Sequence, residues 1–381
     1  MRKLRKGSAR MPRYVIDEAA LRRNLEILRG VADATGAKIL LAQKAYSCAA
    51  TYPLCAKYLA GTTASSLFEA KHGHDNFGGE THVFAPAFDA REMDEILSLV
   101  DHIVFNSPRQ VALFGAAAKA KGVSVGLRVN PEVSVATTPA YDPCRPSSRL
   151  GTRRRDLDAA PEALALVDGL HFHCLCEQGV EELAKVLAGF EAKFGDLLPR
   201  MKWVNFGGGH HITRAGYDVA ALVRLIRDFR ERNPHLEVYL EPGEAVALNA
   251  GTLEVTVLEI QPKGEDGVAN AILDTSAACH MPDVLEMPYT PRVVGAVEGG
   301  SYTYRFGGPT CLAGDEIGVY SFASPLAEGS RVVFEDMAIY SMVKNNTFNG
   351  LNLPDIVLRR EDGSERLLKS SGYADFASRL G

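Results

Sequence analysis

Short apolar runs and one-sided helical stretches alternate along the first two-thirds of the chain. Runs rich in aliphatic, β-branched or aromatic residues recur near 38–43, 62–67, 82–85, 102–105, 123–129, 168–173, 202–206 and 237–240. Most gaps between them hold segments such as "DAREMDEILSLV", "SPRQVALFGAAAKAKG", "GVEELAKVLAGFEAKF" and "DVAALVRLIRDFRER". These repeat apolar positions at three and four, as helices with one buried face do. Eight strand signals alternating with helices predict an α/β fold, a (β/α)8 TIM-like barrel over residues 20–250, rather than an open sheet with half as many strands. The least regular connection, 131–160, is rich in Pro, Ser and Arg and reads as a long loop over the barrel mouth.

From residue 251 the texture changes. "TLEVTVLEIQP", "NAILDTS", "YTYRFGG", "EIGVYSF" and "SRVVFEDM" are short β-rich runs set apart by Gly, Pro and Asp. They predict a second, C-terminal all-β domain over 251–381. The strand-like "RYVID" at 13–17 precedes the first barrel helix, and we expect it to pair into that β-domain. Residues 1–12 carry Arg2, Lys3, Arg5, Lys6 and Arg10 without a following apolar stretch. They read as a disordered basic leader rather than a secretory signal, with Met11 as an alternative start.

Composition narrows the classes. Of 381 residues, 46% are hydrophobic and 23% charged, and the formal charge is −5. That balance carries no electrostatic footprint for nucleic acid, and no stretch reaches the roughly 18 apolar residues of a membrane span. Seven cysteines (48, 55, 144, 174, 176, 279, 311) are odd in number and scattered, with no paired metal-ligand spacing. No metal is therefore expected, and the pattern suits a reducing, cytoplasmic compartment.

Four chemically equipped stretches sit just past strand ends, where a parallel barrel collects reactive groups. Lys44 follows "ILLAQ"; at a barrel mouth its amine would have a lowered pKa, as Schiff-base formation needs, although a surface lysine fits the position as well. His173 ends "GLHFH", as a stacking ring or a satisfied rim histidine. Gly207, Gly208 and Gly209 follow the seventh run, where free backbone N–H groups would cradle an anion; the alternative is a tight turn. Glu241 in "EPGEA" is aimed by Pro242 and Gly243, and a carboxylate there would keep a pyridine nitrogen protonated. A lysine, a histidine, an anion cradle and a carboxylate are the parts of a pyridoxal 5'-phosphate site. Further on, "FGGPTCLAGD" offers Cys311 as a proton donor or a structural thiol, together with Asp315. Tyr340 is a candidate phosphate contact. Asp274, Asp283 and Glu286 are solvated loop charges for a neutral ligand, or counter-ions for a polyamine.

The ordered set Lys44, "HFHC", "GGG", "EPGEA", "GGPTC" and "AIY…TFNG" resembles the fold type III, alanine racemase-like pyridoxal phosphate decarboxylases from about residue 13 to the end. "AQKAYS", "ASSLFEA", "FGGGHHIT", "EPGEAV" and "DTSAACHMPDVLEMPY" are similar to the carboxynorspermidine/carboxyspermidine decarboxylase branch. The resemblance implies that Lys44 bonds the cofactor, His173 stacks on its ring and Glu241 pairs with its nitrogen. It implies that the Gly207–Gly209 amides and Tyr340 hold the phosphate. Cys311 would return a proton from the partner subunit of a homodimer with shared sites. The substrate would be a carboxy-polyamine, its distal amines met by Asp315, Asp283 or Glu286, with Glu241 and Asp274 as further substrate contacts.

Two departures bear on specificity. Leu312 stands where ornithine-type enzymes have an aspartate, and "HCLC" replaces the "HIGS" of diaminopimelate decarboxylases. Glu244 stands where related enzymes often carry a phosphate-binding arginine, so we expect it to face elsewhere. The alternatives are a diaminopimelate- or ornithine-type decarboxylase, a racemase, or a catalytically silent regulatory homologue.

Overall fold

The computed structural model describes residues 11–381, which divide into two compact units. One is Arg22–Val246; the other joins the N-terminal residues up to Leu21 with Ala247–Gly381. The expectation of a disordered leader falls, through residue 10, outside the described residues. Among the described residues no helix is long and apolar enough to cross a membrane.

After β1 (Arg13–Asp17), eight strands close a parallel barrel: β2 (Lys38–Ala42), β3 (Gly61–Ala64), β4 (Glu80–Phe84), β5 (His102–Phe105), β6 (Ser124–Arg128), β7 (Gly169–His171), β8 (Trp203–Asn205) and β9 (Glu237–Leu240). The last closes on the first, Lys38 lying opposite Tyr239. Barrel strands are covered on both faces, which is why they read as continuous apolar runs instead of alternating ones. Helices between them begin where short polar side chains accept from the first turn: Ser66 from Glu69 N–H, Ser107 from Gln110 N–H and Asp218 from Ala221 N–H. The run expected at 62–67 is shorter than drawn, because Ser66 already caps a helix. "DAREMDEILSLV" forms only one regular turn, Met93–Ile96.

The barrel interior is closed at the strands' N-terminal end. Trp203 fills its width because Gly126 and Gly169 face it, and a Cβ on Gly169 would come within 2.1 Å of the indole. Beneath lie Lys38 Nζ, 2.6 Å from Glu80 and 2.8 Å from Glu237, and the stacked rings of His82 and His102, 4.0 Å apart. Glu80, His82 and His102 bring ligand-type atoms within 4.8 Å of one another. Lys38 already supplies the cation there, and cofacial imidazoles point their lone pairs side by side instead of at one centre. The open end is the C-terminal mouth.

The second unit is a mixed sheet in the order β13 (Glu316–Phe322), β12 (Tyr302–Gly307), β11 (Ala269–Leu273), β10 (Gly251–Lys263), β1, β15 (Asp355–Arg359), β16 (Glu365–Lys369), with β14 (Arg331–Glu335) paired to β10. β1 lies antiparallel to β10 and parallel to β15. Its core gathers Leu253, Val255, Val257, Phe306, Phe334 and their neighbours. Short helices at Ala277–His280, Asp283–Glu286 and Ser341–Lys344, and a longer one at Tyr373–Leu380, interrupt what the sequence suggested was all strand.

Candidate active site

Lys44 stands two residues past β2 and opens to solvent at the barrel mouth. Ala42 N–H donates to Pro242 O, which ties the end of β2 to the turn after β9. The protein packed around the Lys44 amine, and then the nearby Arg128 guanidinium, push its pKa below the ordinary lysine value. Arg128, the last residue of β6, is buried and donates through Nη2 to His173 O at 2.9 Å. Its guanidinium lies over the Phe84 ring, 4.5 Å from the centroid. It has no carboxylate ion pair among the described residues, and burial lowers its pKa to about 10.

Glu241 follows β9 with both carboxylate oxygens engaged. Asn205 Nδ2 donates to Oε1 at 2.8 Å, and His171 Nε2 lies 3.0 Å from Oε2. Burial alone would raise its pKa, but His171 and Asn205 outweigh that and hold it at about 2. His173 follows β7, and burial followed by the Lys44 charge keeps its imidazole neutral, well below the usual histidine range.

The glycine loop packs too closely for any side chain. A Cβ on Gly208 would stand 2.1 Å from Glu241 O, and one on Gly209 (φ +83°) would stand 2.0 Å from Leu175 O. Its amides differ from the expectation of three free donors. Gly207 N–H donates to Asn205 Oδ1 and Gly208 N–H to His173 Nδ1. The Gly209 and His210 amides keep no acceptor among the described residues. Glu244 lies 3.1 Å from His211 Nε2, beside this loop. Arg128, His171, Asn205 and His211 escaped the sequence reading. The one signal that marks Arg128 in advance is a cation ending an apolar run.

The sheet unit holds the other expected residues. Cys311 is exposed between β12 and β13, and its N–H donates to Asn349 Oδ1 at 2.7 Å, joining "GGPTC" to "TFNG". Tyr340 immediately precedes the helix Ser341–Lys344 and has a φ of +52°. Asp315 is buried and accepts from Ser276 Oγ, Ala278 N and Thr310 Oγ1. These bonds hold the surrounding loops together. Asp283 and Glu286 both contact the Lys344 ammonium. Asp274 accepts from Thr256 N–H at 2.8 Å, and burial raises its pKa.

Residues 13–338 match the family described as pyridoxal-dependent decarboxylase, C-terminal sheet domain. This chain belongs to the pyridoxal-dependent decarboxylases. It is 41% identical over 381 residues to a carboxynorspermidine/carboxyspermidine decarboxylase of Campylobacter jejuni, covering 97% of this chain and 98% of the relative. It is 40% identical over 379 residues to a carboxyaminopropylagmatine decarboxylase of Synechocystis, covering 99% and 97%. The crystal structure of C. jejuni carboxynorspermidine decarboxylase with norspermidine superposes with a TM-score of 0.90 at 40% identity, over 97% of this chain and all of that one. A diaminopimelate decarboxylase shares the fold, with a TM-score of 0.84 at 19% identity over 97% and 93% of the two chains.

The barrel mouth suits pyridoxal phosphate on its own chemistry. It offers one solvent-accessible amine of lowered pKa, one ionised carboxylate and a side-chain-free loop with two unengaged amides. Bound there, the cofactor supplies an electron sink for the bond to a substrate's α-carboxylate.

Proposed function

We propose that the enzyme decarboxylates carboxynorspermidine and/or carboxyspermidine, forming norspermidine or spermidine in polyamine biosynthesis. The observation that carries this reading is the near full-length match to the C. jejuni enzyme crystallised with norspermidine. In this reading Lys44 would bond the cofactor, His173 would cover its ring, and Glu241 would pair with its nitrogen. The free amides of the glycine loop and the Tyr340 hydroxyl would hold its phosphate. Cys311, contributed by the partner of a homodimer, returns a proton to Cα after CO2 leaves, and solvent reprotonates the thiolate. Asp274, Asp283 and Glu286 are the carboxylates offered to the distal ammonium groups, which would be costly to bury unpaired. The enzyme works in the cytoplasm.

The Synechocystis relative favours a second substrate, carboxyaminopropylagmatine, whose distal end is a guanidinium. Purified enzyme incubated separately with the three carboxylated amines, and with diaminopimelate and ornithine as controls, tests both readings by product chromatography. Norspermidine or spermidine formed in preference supports the first reading. Preferential decarboxylation of carboxyaminopropylagmatine establishes the second, and turnover of the controls alone overturns both.

A further inference from the structure

Glu241 is held from behind by two donors, and their identities follow from what else each one touches. Asn205 Oδ1 accepts from Gly207 N–H at 2.8 Å, which fixes the amide so that Nδ2 donates to Glu241 Oε1. One side chain thereby links the glycine loop to the carboxylate. His171 Nδ1 is buried with no partner. A hydrogen on that nitrogen would be a stranded donor and would leave the Nε2 lone pair against a carboxylate oxygen. The hydrogen therefore sits on Nε2 and points at Oε2, 3.0 Å away.

Both oxygens of Glu241 face N–H donors, and such donors bind an ionised carboxylate more strongly than a protonated one, so the pair favours the ionised form. The His171 ring is kept in place by the Phe84 ring, 5.7 Å away at 23°, over which the Arg128 guanidinium also lies. The charged and titratable groups around the pair are Lys44 and Arg128 at the mouth, His173 beside them and His82 deeper in the barrel.

We propose that His171 is a positioning residue: through its Nε2–H it keeps Glu241 ionised and aimed, and so sets the protonation of the cofactor's ring nitrogen. This rests on the reading that Glu241 faces that nitrogen.

The test uses holoenzyme carrying pyridoxal phosphate labelled with 15N in the ring, whose chemical shift reports the nitrogen's protonation. Wild type should give the protonated signal across the working pH range. His171→Leu should move the signal towards the unprotonated position. Its kcat should fall about tenfold for each unit by which the nitrogen's pKa drops below the working pH, while KM stays near the wild-type value. His171→Gln, which keeps an N–H donor, should recover part of the shift. Should His171→Leu fail to fold, the decision passes to His171→Asn, which is polar but too short to reach Glu241. An unchanged signal in the folded variant overturns the role of His171. An unprotonated signal in wild type instead overturns the reading of Glu241.

Discussion

Lys44 is the residue on which the chemistry turns, and its environment makes two measurements decisive. Lys44→Ala should abolish turnover and the borohydride-stable adduct, and in wild type the trapped phosphopyridoxyl group should map to Lys44 alone. The amine's pKa is lowered from 10.5 by the protein packed around it and by Arg128. The uncharged, reactive amine therefore persists below pH 10.5, and cofactor capture by the apoenzyme declines only as pH falls through the lowered value. Arg128→Met removes a like charge, so the midpoint of capture against pH should move upward; an unmoved midpoint would deny the coupling. A second case is the ion pair of Lys344 with Asp283 and Glu286. If these acids receive a substrate ammonium, Lys344 competes with it. Lys344→Met should then lower KM for the carboxy-polyamine, while Asp283→Asn raises it. Because these groups are partly exposed, the change expected is about 1 kcal/mol, some fivefold in kcat/KM. Equal KM values in all three proteins would remove these acids from the substrate site. Lys44, His173 and Glu241 stood out in the sequence because each lies at or just past the end of a strand run. His171 and Asn205 lie inside such runs, where a polar residue has no local signature of function.

The glycine loop after β8 is the element that ties the site together. Gly208→Ala and Gly209→Ala would drive a Cβ to 2.1 Å and 2.0 Å from the backbone oxygens of Glu241 and Leu175. Each should cost about 1–3 kcal/mol of stability, measurable by thermal denaturation of the apoenzyme. Each should also weaken pyridoxal phosphate more than it weakens pyridoxal, which lacks the phosphate. Equal loss for both ligands would dissociate the loop from phosphate binding. Eight strands were readable from their apolar runs, since burial on both faces leaves that mark in the sequence. Helix lengths were read less well, because "DAREMDEILSLV" has helical spacing but only one regular turn. The number of free amides in the glycine loop had no sequence signal, because their acceptors come from other strands.

At the scale of the whole molecule, the chain leaves its sheet after β1, builds the barrel and returns at β10. The sheet unit is thus assembled from both ends of the chain. The sequence suggested this return through "RYVID", and β1 indeed lies between β10 and β15. Sharing of sites between subunits is tested by mixing inactive Lys44→Ala and Cys311→Ala chains. Random pairing restores at most about a quarter of the sites, since half the dimers are mixed and each has one intact site. No recovery despite subunit exchange would place both residues in one chain's site or remove Cys311 from catalysis.

The succession of the barrel strands, the alternation that closes the barrel and the kinds of residue at the strand ends were determined by the sequence alone. They follow from local periodicity and from where each run stops. Tertiary structure decided what each polar group is bonded to. His171 and Glu241 are 70 residues apart, Asn205 and Glu241 are 36 apart, and Lys344 and Asp283 are 61 apart. Asp315 reaches back 39 residues to Ser276. Such partners meet only when the barrel closes or the sheet assembles. A hydrogen bond formed across that distance leaves no periodic trace in the residues between.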